Sequence, residues 1–208
     1  MSRLRMYVVE EIEESIAVKA ELARSTCDQV VEAASLILTR LEVGGKLIAF
    51  GNGGSAADAQ HIAAEFVGRY QAERKALAAI ALTTDSSSLT AIGNDFGFEQ
   101  VFSRQLEAIG KPGDVALAIS TSGNSQNVLR AIASAKKLGM VTIGLSGRSG
   151  GKLRANVDLC LSVPSDSTPR IQEAHSLIIH ILCGIVENAV VDAAGAFEAT
   201  KIDIIPKE

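Results

Sequence analysis

The sequence predicts an α/β fold: a three-layer α/β/α sandwich on a five-stranded parallel sheet, preceded by an N-terminal helical region over about residues 2–43. Two observations carry this expectation. Five short runs, Lys46–Phe50, Ala78–Leu82, Val115–Ser120, Val141–Ser146 and Leu159–Pro164, are mostly near-continuous in apolar residues, as strands covered on both faces should be. Helical stretches lie between and after them, at 55–70, about 98–109, 126–138 and about 168–195. Alternation of this kind builds a parallel sheet with helices on both faces, and ligands bind such sheets at the carboxyl ends of the strands. With 208 residues and no internal repeat, linker or low-complexity segment, the chain reads as one domain, 1–208.

The elements follow in order. Val8, Ile12 and Ile16 repeat at four on a first helix. Thr26 is placed to cap a second, which carries Val30, Ala34, Ile37 and Leu41 on one side and ends at Gly44-Gly45. The first strand then runs into Gly51-Asn52-Gly53-Gly54-Ser55. Ser55 reads as the N-cap of the next helix, with Asp58 three residues on at capping-box spacing. On that helix His61 and Glu65 sit four apart and share a face. Gly93-Asn94-Asp95-Phe96-Gly97-Phe98 reads as a loop over the sheet edge, where Asn94 and Asp95 could bind hydroxyls or Asp95 could cap a turn. Ser120-Thr121-Ser122-Gly123-Asn124-Ser125 follows the third strand and opens a helix, and Ser146–Gly151 is a similar loop read as structural. The long last helix carries Gln172, Glu173, His175 and His180, with His175 turned away from His180 and read as structural. Its apolar stretch Leu177–Val186, broken by His180, is about half a membrane span.

Bulk properties remove several function classes. A net charge of −4 argues against a non-specific nucleic-acid binder, and 4% aromatics without Trp against a base-stacking platform. Cys27, Cys160 and Cys183 lack metal or redox spacing, which suggests buried thiols in a reducing, cytoplasmic setting. Early Glu10, Glu11, Glu13 and Glu14 are unlike a signal peptide.

Two loops carry the chemistry. A glycine turn at a helix N-terminus points backbone N–H groups at an anion. The stretch Gly51–Ala56 fits the dinucleotide fingerprint, but the candidate acidic residue, Asp85, comes 29 residues after Ala56 rather than at the end of a second strand about 20 residues on. Ser120–Ser125 offers hydroxyls, N–H groups and a helix start without a following lysine, so it is a neutral phosphate cradle and not a nucleotide-hydrolysing loop. Gln172 and His180 are eight apart, ~12 Å along a helix, and reach one metal only by leaning together. The combination points to acid–base chemistry on a phosphorylated small molecule.

Four segments in order, GNGGSAADAQHIAAEFVGRY, GNDFGF, STSGNSQNV and TPRIQEAHSLIIH, resemble the sugar-isomerase (SIS) family, and the likeness runs from the N-terminal helices to about Val191. The resemblance implies an aldose–ketose isomerase acting on D-sedoheptulose 7-phosphate through an enediolate, for heptose precursors of lipopolysaccharide or another glycan. It implies a homotetramer with sites at subunit interfaces, one zinc per subunit, and no nucleic-acid or membrane partner. Carried over by position, it assigns the metal to His61, Glu65, Gln172 and His180, and catalysis to Glu65 and His180. It assigns the phosphorylated seven-carbon sugar to Asn52, Gly53, Gly54, Ser55, Glu65, Asn94, Asp95, Ser120, Thr121, Ser122, Ser125 and Gln172. The chain has Pro169 where some members carry an aspartate before the RIQE arginine. Two alternatives stand in the same family: a tetrameric scaffold that binds the bacterial replication initiator, and a sugar-phosphate sensor without turnover. Glu65 together with His61 and His180 favours the enzyme, because a scaffold needs no base opposite an acid.

Overall fold

The computed structural model describes residues 2–202, with side chains to residue 193; Met1 and residues 203–208 of the expected 1–208 domain lie outside the described residues. Two helices, α1 (Arg3–Ser25) and α2 (Cys27–Glu42), precede β1 (Leu47–Gly51) and α3 (Gly54–Val67). Then come β2 (Ala79–Ala81), α4 (Ser86–Phe96), a 3-10 turn at Phe98–Gln100 and α5 (Ser103–Ile109). The rest is β3 (Val115–Ile119), α6 (Gln126–Lys137), β4 (Val141–Ser146), α7 (Gly151–Arg154), β5 (Leu159–Ser162) and α8 (Thr168–Ile202).

All strand pairs are parallel and the order is β2-β1-β3-β4-β5. Every residue of β1 and β3 is buried, the reason both read as unbroken apolar runs. Alternate residues feed opposite layers. Leu47, Ala49, Val115, Leu117 and Ile119 join the core shared with α2, α3 and α8, while Ile48, Phe50, Ala116 and Ala118 join that of α5 and α6. The crossovers leaving β1 and β3 go to opposite faces, so a crevice opens between these two neighbours at their carboxyl ends. This is the switch point where open α/β sheets take ligands.

Several local expectations are corrected. Ser55 does not cap α3: the helix starts a residue earlier with Gly53 as N-cap, no side chain bonds the free N–H groups there, and Ser55 lies buried within the first turn. Gly53 has φ +56°, a backbone that side-chain-bearing residues rarely adopt, so the glycine turn itself sets the helix direction. Thr26 stands at the N-cap of α2 but makes no side-chain cap bond. Gly93–Phe96 is not a loop but the last turn of α4, a helix missed because its serine-rich start, Ser86-Ser87-Ser88, has no apolar period; Asp85 caps it through Ser88 N–H. Gly97 then separates it from the 3-10 turn and α5, which replace the single helix expected over 98–109. Finally, Cys27 is exposed and Cys160 half-buried; only Cys183 is a buried thiol, and burial pushes its pKa up to about 12.

By length and composition alone, Thr168–Ala193 of α8 is apolar enough to cross a membrane. Here Ile171, Ala174, Ile178, Ile179, Leu182 and Val186 pack into the core with α2 and α3. His175 is fully buried against the Ser146 carbonyl, and desolvation lowers its pKa to about 4.

Candidate active site

The site has two parts. The first is the crevice between β1 and β3. In the Ser120–Ser125 loop the Ser120 and Ser125 hydroxyls lie 3.2 Å apart, and Gly123 N–H donates to Ser120 O. Gly123 has φ +64°, and any side chain there would collide with the Gly150 carbonyl. The Ser146–Gly151 loop therefore braces the cradle, through Gly147 N–H to Thr121 O and Leu153 N–H to Gly123 O, as its structural reading expected. The backbone N–H groups of Thr121, Ser122, Ser125, Gln126 and Asn127 find no acceptor among the described residues. Five free donors beside two hydroxyls at a helix N-terminus form an anion site.

The glycine turn lines the other wall. Asn52 exchanges two 2.8 Å hydrogen bonds with the buried amide of Asn127, a residue that the sequence reading did not single out. Gln172 lies against the turn on the α8 side, where a side chain at Gly54 would meet its amide. Asn94 and Asp95 are exposed near the end of α4 and bonded to each other at 2.7 Å.

The second part lies further along α3. This helix and α8 run side by side in one direction, matched at Gly54 with Gln172, Asp58 with Ser176, and His61 with His180. At the last match His61 Nε2 is 3.2 Å from His180 Nε2 and 3.1 Å from Glu65 Oε1. The imidazoles meet edge to face, and Tyr70, another residue not singled out, stacks on His180 at 5.6 Å. Asp58 is buried at the middle match, one turn on from Gly54, and desolvation raises its pKa against the opposing Ser176 bond and His61.

A buried network holds this end of α3. Glu187 of α8 accepts the N–H groups of Tyr70, Gln71 and Ala72. Burial pushes its pKa up, but those bonds and Arg74, with Nε 3.2 Å from Oε2, prevail and hold it below its usual value. Arg74 in turn donates to the carbonyls of Glu65, Phe66 and Gly68 at the helix C-terminus, where a cation is favoured. The signal for this in the sequence is one buried-helix glutamate, which no spacing rule connects to residue 74.

Among the described residues no group of three or more His, Cys, Asp and Glu side chains forms a ready-made metal cage. The donors of His61, Glu65 and His180 still suit a zinc ion. In a tetrahedral site with metal–ligand distances of about 2.0–2.1 Å, neighbouring donors stand roughly 3.3 Å apart. The two separations here are 3.2 and 3.1 Å. A single proton on His61 Nε2 serves the carboxylate or the second imidazole well, not both, whereas a cation serves all three. Gln172 is not brought to this trio: it sits at the other end of the α3–α8 match, beside the cradle of its own chain.

The class follows from this fold and from comparison. A family model described as the SIS domain matches residues 12–147. A phosphoheptose isomerase of Roseiflexus sp. (strain RS-1) is 53% identical over 184 residues, 88% of this chain and 93% of the relative. One of Helicobacter hepaticus is 59% identical over 159 residues, 76% of this chain and 81% of the relative. The solved phosphoheptose isomerase of Neisseria gonorrhoeae superposes with a TM-score of 0.85 at 49% identity, covering 89% of this chain and 99% of that one. The chain belongs to the phosphoheptose isomerase family of SIS-domain proteins. More distant likenesses, such as the sugar isomerase domain of an RpiR transcription factor at 18% identity and TM-score 0.62, show the fold alone.

Proposed function

We propose that the chain isomerises D-sedoheptulose 7-phosphate to D-glycero-D-manno-heptose 7-phosphate, supplying heptose for glycan synthesis. The observation that carries this reading is the convergence of Glu65 and His180 on His61, on the same helix whose start lines an anion cradle. Aldose–ketose isomerisation moves one proton between adjacent carbons and a second between their oxygens. Glu65 takes the carbon proton and returns it to the neighbouring carbon; only its Oε1 faces His61, which leaves Oε2 for the proton. His180 gives and recovers the proton at the oxygens through the ring nitrogen not engaged with His61, with its ring stacked on Tyr70. The Ser120–Ser125 loop holds the phosphate, and Asn94, Asp95 and the glycine turn flank the sugar hydroxyls. A zinc ion held by His61, Glu65 and His180 would supply Lewis-acid polarisation of the substrate oxygens.

Geometry also supports a site shared between copies. Glu65 is eleven residues beyond Gly54 on α3, ~16 Å along the axis, whereas about six carbon–carbon bonds separate the two ends of the carbon chain of a heptose 7-phosphate. The cradle and base of one chain are too far apart for one substrate. The cradle, with Gln172 beside it, then works with the trio of another copy, and Gln172 would be the fourth residue to hold that copy's metal. An exposed apolar stripe on α1, Leu4, Val8, Ile12 and Ile16, gives the surface for a homotetramer.

Incubation of pure protein with sedoheptulose 7-phosphate in deuterated solvent, with zinc supplied, tests the reading. Deuterium should enter the sugar next to the carbonyl, and Glu65→Gln should abolish entry while sugar-phosphate binding persists. Wild-type protein that binds the sugar phosphate without exchange would leave the sensor reading in its place.

A further inference from the structure

We infer that Asn127 is a positioning residue for substrate binding: its amide clasps Asn52 and so holds the glycine turn at a fixed distance from the Ser120–Ser125 loop. Asn127 is 3% exposed and stands in the first turn of α6, directly after the cradle. Its Oδ1 accepts the Val128 N–H at 2.9 Å, one of the helix donors without an intrahelical partner. That bond fixes which way the amide faces. Nδ2 must then point to Asn52 Oδ1, and Oδ1 receives Asn52 Nδ2, both at 2.8 Å. The orientation of Asn52 is thus set, through Asn127 75 residues away in sequence, by the backbone N–H of Val128.

Two consequences follow. The side-chain amide of Asn52 is occupied, so its part in binding comes through the backbone N–H groups of the turn that it carries. And the strands β1 and β3, adjacent at the switch point, have their two carboxyl-end loops tied by the shortest available cross-link, a reciprocal amide pair. Without it the turn beginning at Asn52 is held by β1, by its own contacts with α3 and by Gln172 at Gly54, with no tie to the Ser120–Ser125 side. The inference rests on the reading of Ser120–Ser125 as the phosphate cradle.

The test is a double-mutant cycle on Asn52→Ala, Asn127→Ala and the pair, read by calorimetric titration with inorganic phosphate and by steady-state kinetics. Each single change removes both bonds of the clasp and should weaken phosphate binding and raise KM about five- to fifty-fold. The pair should do no more than either alone, because both act through one contact. Turnover number should stay within about two-fold, since neither asparagine belongs to the trio of His61, Glu65 and His180 that moves the protons. Asn127→Ser, whose hydroxyl bonds Val128 N–H but does not reach Asn52, should match Asn127→Ala while melting like the wild type. Losses that add, or singles with unchanged KM, overturn the inference with the cradle reading intact. Wild-type protein that binds no phosphate overturns the cradle reading, and this inference with it.

Discussion

If the cradle of one chain works with the base of another, two dead variants should revive each other. Glu65→Gln removes the base, and general-base catalysis is typically worth 10²–10⁴-fold, so this variant alone retains at most ~1% of activity. Ser122→Glu places a carboxylate among the free N–H donors of the cradle, where it competes with and repels the phosphate. Ser122 is exposed, so this variant folds. Each chain in a mixture then has one good half-site. On one chain the glycine turn at Gly54 and the base Glu65 stand ~16 Å apart along α3, the separation that motivates a site shared between copies. In mixed assemblies formed at equal ratio, each site draws its trio and its cradle independently, so about a quarter of sites receive both intact parts. Co-expression with two affinity tags, tandem purification and the isomerase assay should therefore return about a quarter of wild-type activity per site, far above either variant alone. Activity that stays at the level of the variants in verified mixed assemblies would refute the argument, because sites built within one chain gain nothing by mixing.

Three further outcomes are expected. Ile12→Asp, on the exposed face of α1, should lower the mass measured by light scattering while leaving the melting of the α/β core within a few degrees. His175, buried and neutral with its pKa lowered to about 4, should make the fold lose stability as pH falls from 6.5 towards 4, by up to about 3 kcal/mol; His175→Gln should flatten that part of a denaturant-midpoint profile against pH. Glu187→Ala should cost about 3–5 kcal/mol by leaving the Arg74 guanidinium buried without its carboxylate; and since the Glu187 pKa is held below 4.5, the wild type should lose this contribution only as pH drops below that value, which thermal melts in acid would show.

How legible the molecule was depends on the range of each signal. Every one of the expected strands was placed to within about two residues at each end because a strand buried on both faces writes itself as a local apolar run. The second, Ala79–Ala81, was read too long by a residue at each end for the same reason: Ala78 and Leu82 are apolar and bond to β1, yet lie just outside the paired register. Helix α4 was missed because its first turn is serine and its apolar residues are few, so a capping aspartate was the only sign of it. The cap of α3 was misassigned because Ser55 satisfies a local rule that Gly53 overrides with its backbone.

By itself the sequence determined the layered α/β class, the glycine- and serine-rich turns at the starts of α3 and α6, and the pairing of His61 with Glu65. Each of these depends on residues within one or two turns of each other, where covalent geometry fixes the neighbours. Only the tertiary structure decided that α8 lies alongside α3 in the same direction, which sets His180 on His61 and leaves Gln172 at Gly54. Nor did any spacing announce Asn52 with Asn127, Tyr70 with His180, or Arg74 with Glu187. Those contacts depend on the strand order and on the register of packed helices. Both are set by burial summed over the whole core, and no short stretch of chain encodes such a sum.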